Sequence, residues 1–157
     1  MKKLFWLAIF NLLVVVAAAS GQTIAPPIAE FRAKPAKFVS GSFQVQNNEL
    51  IPVAFTVESY RLTLDSQQLH FQMPDSGMQI LLSQSSGRLG PKEIRRIDYK
   101  ISCSSIPCQS AIKVGLITGR TKDGAQVRII ISHVVYLGSS KSPRQDALIQ
   151  AGLLAKK

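Results

Sequence analysis

The sequence is poor in the residues on which enzymes and metal sites depend. Its 157 positions hold two cysteines, two histidines and one tryptophan. The cysteines, Cys103 and Cys108, stand in the run CSSIPC, so the C-x-x-C spacing of a redox pair is missing. His70 and His133 lie too far away in the chain to complete a zinc site with them. A Gly-x-Ser-x-Gly elbow, a His-Glu-x-x-His helix, a phosphate-cradling glycine loop and a dinucleotide fingerprint are also lacking. Acidic residues are scarce, nine against nineteen Lys and Arg. Glu58 and Asp98 would serve glycosidic chemistry only if folding brought them together. These absences argue for a protein without catalysis, cofactor or metal. An even cysteine pair with four residues between them reads as one short disulfide that pins a turn.

Apolar residues, by contrast, crowd the start of the chain. Lys2 and Lys3 precede an apolar run from Leu4 to Ala19, and Ala17-Ala18-Ala19-Ser20-Gly21 offers small residues for cleavage after Ala19 or Gly21. Residues 1–21 therefore read as a secretory signal peptide. Sixteen apolar residues interrupted by Asn11 are short for a transmembrane anchor, so the expected product is periplasmic or secreted, with no stable membrane anchor after cleavage. No cysteine stands at the cleavage site, which argues against a lipid-modified lipoprotein. Loss of Lys2 and Lys3 takes the formal charge from +10 to +8. Basic residues such as Lys34, Lys37, Arg61, Arg88, Lys113 and Arg128 are scattered over many segments rather than clustered, the pattern of solvated strand faces and not of a nucleic-acid interface.

Beyond the leader, Pro26-Pro27 forms a stiff lead-in, and Ala29, Phe31 and Ala33 alternate with Glu30 and Arg32 in a first, edge strand over 28–33. A strand over 39–46 sets Val39, Gly41, Phe43 and Val45 against Ser40, Ser42, Gln44 and Gln46. Asn47-Asn48-Glu49 reads as a turn, Asn being tolerant of left-handed backbone. Val53, Phe55 and Val57 face inward on the next strand. A short strand follows at 69–73, then an apolar run at Ile80-Leu81-Leu82, a loop at 84–88 and a turn at Leu89-Gly90-Pro91. Ile97, Tyr99 and Ile101 alternate with Arg96, Asp98 and Lys100, one dry face and one wet. Ile112, Val114 and Leu116 repeat the pattern, and Thr121-Lys122-Asp123-Gly124 signals a hairpin.

The last strand, QVRIIISHVVYL over 126–137, is the densest in β-branched residues. Val127, Ile129 and Ile131 share one face, Arg128 and Ile130 the other. Two readings stay open: the first set faces the core, or the strand presents an edge to a partner, which would account for apolar Ile130 on the second face. Seven or eight short strands without an internal helix predict an all-β, immunoglobulin-like sandwich over 22–138. The tail, 139–157, is flexible or weakly helical: Ser142-Pro143-Arg144-Gln145 has the form of a capping box, but a dozen residues containing Gly152 are marginal as a free helix.

The signal peptide, FRAKPAKFVSGSFQVQNNELIPVAFTVESYRL, LGPKEIRRIDYKI and QVRIIISHVVYL occur in an order that resembles the immunoglobulin-like N-terminal domain of periplasmic pilus-assembly chaperones, over roughly residues 24 to 138. The resemblance implies a non-catalytic module that binds an exported protein subunit by strand addition in pilus or surface-structure assembly. In that family an apolar terminal strand completes a pilus subunit, while an Arg and a Lys in an interdomain cleft hold the subunit's carboxylate. Arg32 stands where the Arg is expected; the Lys has no evident counterpart, His133 standing in that region, and the second sandwich domain is absent. The partner-binding residues so implied are Arg32, Val127, Ile129, Ile130, Ile131 and His133. The alternative is a self-associating structural or adhesive surface protein.

Overall fold

Alternation of apolar and polar residues carries through into ten strands and one helix in the computed structural model, which describes residues 21–64, 68–120, 124 and 126–150. Apart from Gly21, the residues read as a signal peptide lie outside those described. So do residues 65–67, in the run Asp65-Ser66-Gln67-Gln68 that reads as a turn, and residues 121–123 of the hairpin signal named above. The strands are β1 (Thr23–Ala25), β2 (Ile28–Arg32), β3 (Val39–Gln46), β4 (Val53–Leu64), β5 (Leu69–Gln72), β6 (Met78–Leu82), β7 (Ser86–Leu89), β8 (Ile94–Cys103), β9 (Cys108–Arg120) and β10 (Gln126–Gly138). One sheet has the order β1-β3-β8-β6; the other has the order β2-β10-β9-β4-β5, with β7 also beside β4. Every pairing is antiparallel except that of β2 with β10.

The sheets face each other as an immunoglobulin-like sandwich. Phe43 and Val45 on β3 and Ile97, Tyr99 and Ile101 on β8 meet Val53, Phe55 and Val57 on β4 and Ile112, Val114 and Leu116 on β9, all buried. These are the inward positions that the two-residue period predicts. The cystine Cys103–Cys108 joins the end of β8 to the start of β9, where the chain crosses from one sheet to the other. Closing so short a loop stabilises the domain by about 2 kcal/mol in the chain-entropy account.

Two features depart from the sequence reading. The lead-in before Pro26-Pro27 is itself a strand, β1, which pairs with β3; the two prolines carry the chain across to the opposite sheet, where β2 begins. The loop at 84–88 contains most of β7, which pairs with β4 through Thr56↔Ser86 to Val53↔Leu89. Both strands are too short to show a period. In the tail the helical reading holds over α1 (Pro143–Gln150), which begins at Pro143 and has Pro143 and Ala147 buried. The capping acceptor comes from another element: the amide of Arg144 donates to Glu30 Oε2 on β2 at 3.1 Å, a carboxylate placed favourably at a helix N-terminus.

Asn47 is also put to a different use. It does not take up positive φ; among the described residues, the non-glycine positions that do are Ala36 and Lys92. Its fully buried side chain donates to the carbonyls of Ile51 and Gly90, both at 2.8 Å, while its Oδ1 accepts from the amide of Glu49 at 3.0 Å and from Gln22 Nε2 at 3.2 Å. One amide thus ties the β3–β4 turn, the β7–β8 turn and the start of the chain. Truncation would leave several enclosed backbone groups without partners. We expect Asn47→Ala to lower stability by about 3 kcal/mol. Urea unfolding should show a lower midpoint with an unchanged slope.

Candidate functional site

The parallel pairing of β2 with β10 runs only from Val134↔Ile28 to Gly138↔Arg32. Among the described residues, no strand pairs with the same edge of β10 from Gln126 to Ser132, although its other edge is bonded to β9 throughout. The amide of Val134 donates to Pro27 O at 2.8 Å, so it points away from β9. By the two-residue alternation, the N–H and C=O groups of Arg128, Ile130 and Ser132 point the same way, into the open side. The free edge is seven residues long, about 23 Å.

Side chains along it grade from covered to open. His133 is fully buried, Ile131 and Ile129 are half-buried on the inward face, and Val127 is 44% exposed. Ile130, on the outward face, is 56% exposed. Ile24 of β1 lies partly buried against the core on the opposite sheet. Where the hairpin meets its turn, β9 carries one residue more than β10 between Arg120↔Gln126 and Ile117↔Arg128, a β-bulge beside the free edge.

His133 was expected on the binding edge and is inside instead. Its Nδ1 is 2.6 Å from Pro26 O, and a carbonyl can only accept, so Nδ1 carries the proton; Nε2 then accepts from the Tyr99 hydroxyl at 2.9 Å. Phe43 stacks on the ring with centroids 5.0 Å apart. Gly41 makes room, since a Cβ there would collide with the Tyr99 hydroxyl. Burial pushes Tyr99 up to about 12 and holds His133 below its ordinary 6.5, outweighing the bond to Pro26. Tyr99, Gly41 and Pro26 were not anticipated as partners of His133; they come from three other segments, and no local pattern links them.

Arg128 turns back from the edge across its own sheet. Its Nη2 donates to Thr56 Oγ1 at 3.0 Å and Glu58 Oε1 at 3.1 Å, lying over Gly115, where a Cβ would strike the guanidinium. Glu58 also accepts from the Tyr60 hydroxyl at 2.7 Å; this bond, then Arg128, lowers its pKa. Lys113 Nζ sits 3.4 Å from the centroid of Phe71 and 4.7 Å from that of Tyr60, a cation over two aromatic faces. Glu58 and Asp98 do not meet. They stand exposed on the outer faces of opposite sheets, Glu58 beside Lys113 and Asp98 beside Ser42 in register. Arg32 is at the far end of β10, its Nε donating to Ser139 O at 3.1 Å, and is not brought together with Val127, Ile129 or Ile130. Among the described residues, no group of three His, Cys, Asp or Glu is placed to hold a metal, and no helix is long and apolar enough to cross a membrane.

No protein-family model and no curated protein matches the chain. Solved structures do. The chain is similar to the class 5 fimbriae chaperone CfaA, at 12% identity and TM-score 0.58 over 76% of this chain and 57% of that one. It is similar to a chain of the CsuC–CsuE chaperone–tip subunit pre-assembly complex of Acinetobacter baumannii, at 11% identity and TM-score 0.53 over 85% and 62%. A PapD-like domain of human CEP192 matches at 12% identity and TM-score 0.52 over 77% and 86%. The chain spans little more than half the length of the fimbrial chaperone. The fold is thus that of PapD-like immunoglobulin domains, the type found in pilus chaperones.

The buried imidazole makes stability depend on pH. Its folded pKa is depressed, so the neutral ring contributes fully above the ordinary 6.5, and that contribution is lost as the pH falls below 6.5 and through the folded value. The carboxyls of Glu58 and Glu93, both held below 4.5, respond only in more acid solution. Melting temperature should fall between about pH 7 and pH 5, and His133→Gln should flatten the curve over that interval.

Proposed function

We propose that this protein is an exported, non-catalytic binding module that takes up a strand of a partner protein along the free edge of β10. The observation that carries this reading is the edge itself: three residues, Arg128, Ile130 and Ser132, direct backbone donors and acceptors outward, beside apolar Val127, Ile129 and Ile131. Backbone pairing supplies affinity in such complexes, and alternate side chains supply specificity. An edge of this length without a covering element is a liability unless a partner occupies it. The fold supports the same reading, because its structural neighbours include a SafA pilin in complex with the SafB chaperone of Salmonella enterica and the chaperone–tip subunit complex already named. The partner is an exported subunit of a surface assembly, and the compartment is the periplasm or the exterior. Arg32 lies on β2, which itself occupies the far stretch of this edge, so it takes no part in the strand addition proposed here.

A proline scan tests the backbone role. Ile130→Pro deletes a donor that points outward, whereas Ile131→Pro deletes a donor that points to β9. The first should keep the fold, with melting within a few degrees of the parent, and abolish binding of an apolar, alternating eight-residue peptide or an exported subunit. The second should unfold the domain. On binding to the parent protein, amide exchange should slow at Arg128, Ile130 and Ser132. Protection confined to other strands would sink the proposal, and concentration-dependent protection of these three amides without any partner would favour a self-associating surface protein.

A further inference from the structure

Several cations of the two sheets are paired within the molecule. Arg61 meets Asp75 at 2.8 Å, Arg96 meets Asp98 at 2.7 Å, Arg128 meets Glu58 at 3.1 Å and Arg95 meets Glu93, while Lys113 lies over the rings of Phe71 and Tyr60. Arg32, Lys34, Lys37, Lys100, Lys141 and Arg144 differ. Each is exposed, and among the described residues none of their side chains has a carboxylate partner. They come from separate segments, but the fold gathers them at the end of the sandwich opposite the one where the chain enters.

The loop from Ala33 to Phe38 joins them. It leaves β2 in one sheet and enters β3 in the other, so it crosses the end of the sandwich. Ala33 N donates to Gly138 O at 2.8 Å, Ala36 N to Cys103 O at 2.6 Å, and Lys37 N to Lys34 O at 3.2 Å, a turn that sets both lysines on a fixed base. On one side of this loop, Arg32 Nε donates to Ser139 O at 3.1 Å, just before Lys141. Glu30, on the outward face of β2, accepts from Arg144 N, which places the start of α1 on the outer side of that sheet. On the other side, Lys100 stands opposite Ser40 at the start of β3, on the outer face of the second sheet. The cations thus form a band that passes from the outer face of one sheet, over the end, to the outer face of the other. Among the described side chains, the carboxylate within the band is Glu30, and it is already bonded to the Arg144 amide.

Like charges gathered in this way repel one another, and an anionic ligand relieves the repulsion. The shape of the band selects among such ligands. Because it turns through both outer faces, it does not present its charges to a plane such as a bilayer, whereas a flexible chain can follow it. Exposed hydroxyls accompany the cations: Ser40 opposite Lys100, Ser104 next to the Cys103 carbonyl that holds the loop, and Ser139 beside Arg32. Single-stranded nucleic acid needs a row of aromatic platforms, and the band offers Phe38 alone. We propose that this band binds an acidic polysaccharide, with the sugar carboxylates on the cations and the sugar hydroxyls on the serines. The site is separate from the free edge of β10, which ends at Ser132, about 20 Å before Gly138. Occupation of that edge by a partner strand is therefore an independent matter.

Decagalacturonate, a linear chain with one carboxylate per sugar, is the probe. Calorimetry at low salt should show it binding to the purified protein, with an affinity that falls linearly in log–log form as NaCl is raised, and uncharged dextran should not bind. Lys34→Gln combined with Lys37→Gln should weaken binding roughly fivefold or more and reduce the salt slope by about two. Melting should be retained, since both side chains are exposed. Arg88→Gln combined with Lys92→Gln makes the same change in net charge at the opposite end and should alter the affinity by less than about twofold. Absence of binding by the parent protein, or equal losses from the two double variants, would overturn the assignment. So would a single-stranded oligonucleotide, a polyglutamate of equal charge or phosphatidylglycerol vesicles binding as tightly as the uronate chain, because the band would then serve a different class of anion.

Discussion

One buried imidazole governs where the open edge begins. His133 holds Pro26 O with Nδ1 and the Tyr99 hydroxyl with Nε2, so the ring ties β10 to the crossover between β1 and β2 and to β8 of the other sheet. The crossover can occur only once along the sandwich. Before it the N-terminal strand completes the sheet of β3; after it the strand completes the sheet of β10. The stretch of β10 not reached by β2 is consequently left unpaired. A strand laid wholly on either sheet would have covered β10 completely or not at all. The same ring explains an otherwise odd residue choice, a glycine in the middle of β3, because Tyr99 needs the space above Gly41 to reach Nε2.

The two ends of the molecule are held in different ways. At the far end the disulfide and the docked helix α1 close the sandwich, and Glu30 accepts from the amide of Arg144 in the helix's first turn. At the entry end a single buried amide, Asn47, collects backbone groups from three segments. Buried hydrogen bonds of that kind are expensive to leave unmade, so this end stays rigid even with apolar side chains turned to solvent. The ion pair of Arg128 with Glu58 works on a smaller scale. Both side chains are about half exposed, so the pair adds little to stability; its effect is to lay the Arg128 side chain flat and away from the edge.

Period-two alternation made most of this legible beforehand. The strands at 39–46, 94–101 and 126–137, the inward sets of Phe43, Ile97 and Val114, the immunoglobulin-like sandwich and the disulfide of Cys103 with Cys108 could all be read from the sequence, because each depends on neighbours two residues apart or on a short loop. The outward position of Ile130 opposite the set of Val127, Ile129 and Ile131 was legible for the same reason. Only tertiary structure decided the rest. Whether β10 is open or covered depends on where a distant strand crosses between sheets. Whether His133 lies at the surface depends on Tyr99 and Pro26, which lie 34 and 107 residues away in sequence. Asn47 reads as a turn former in the sequence, yet its role comes from carbonyls it meets across space.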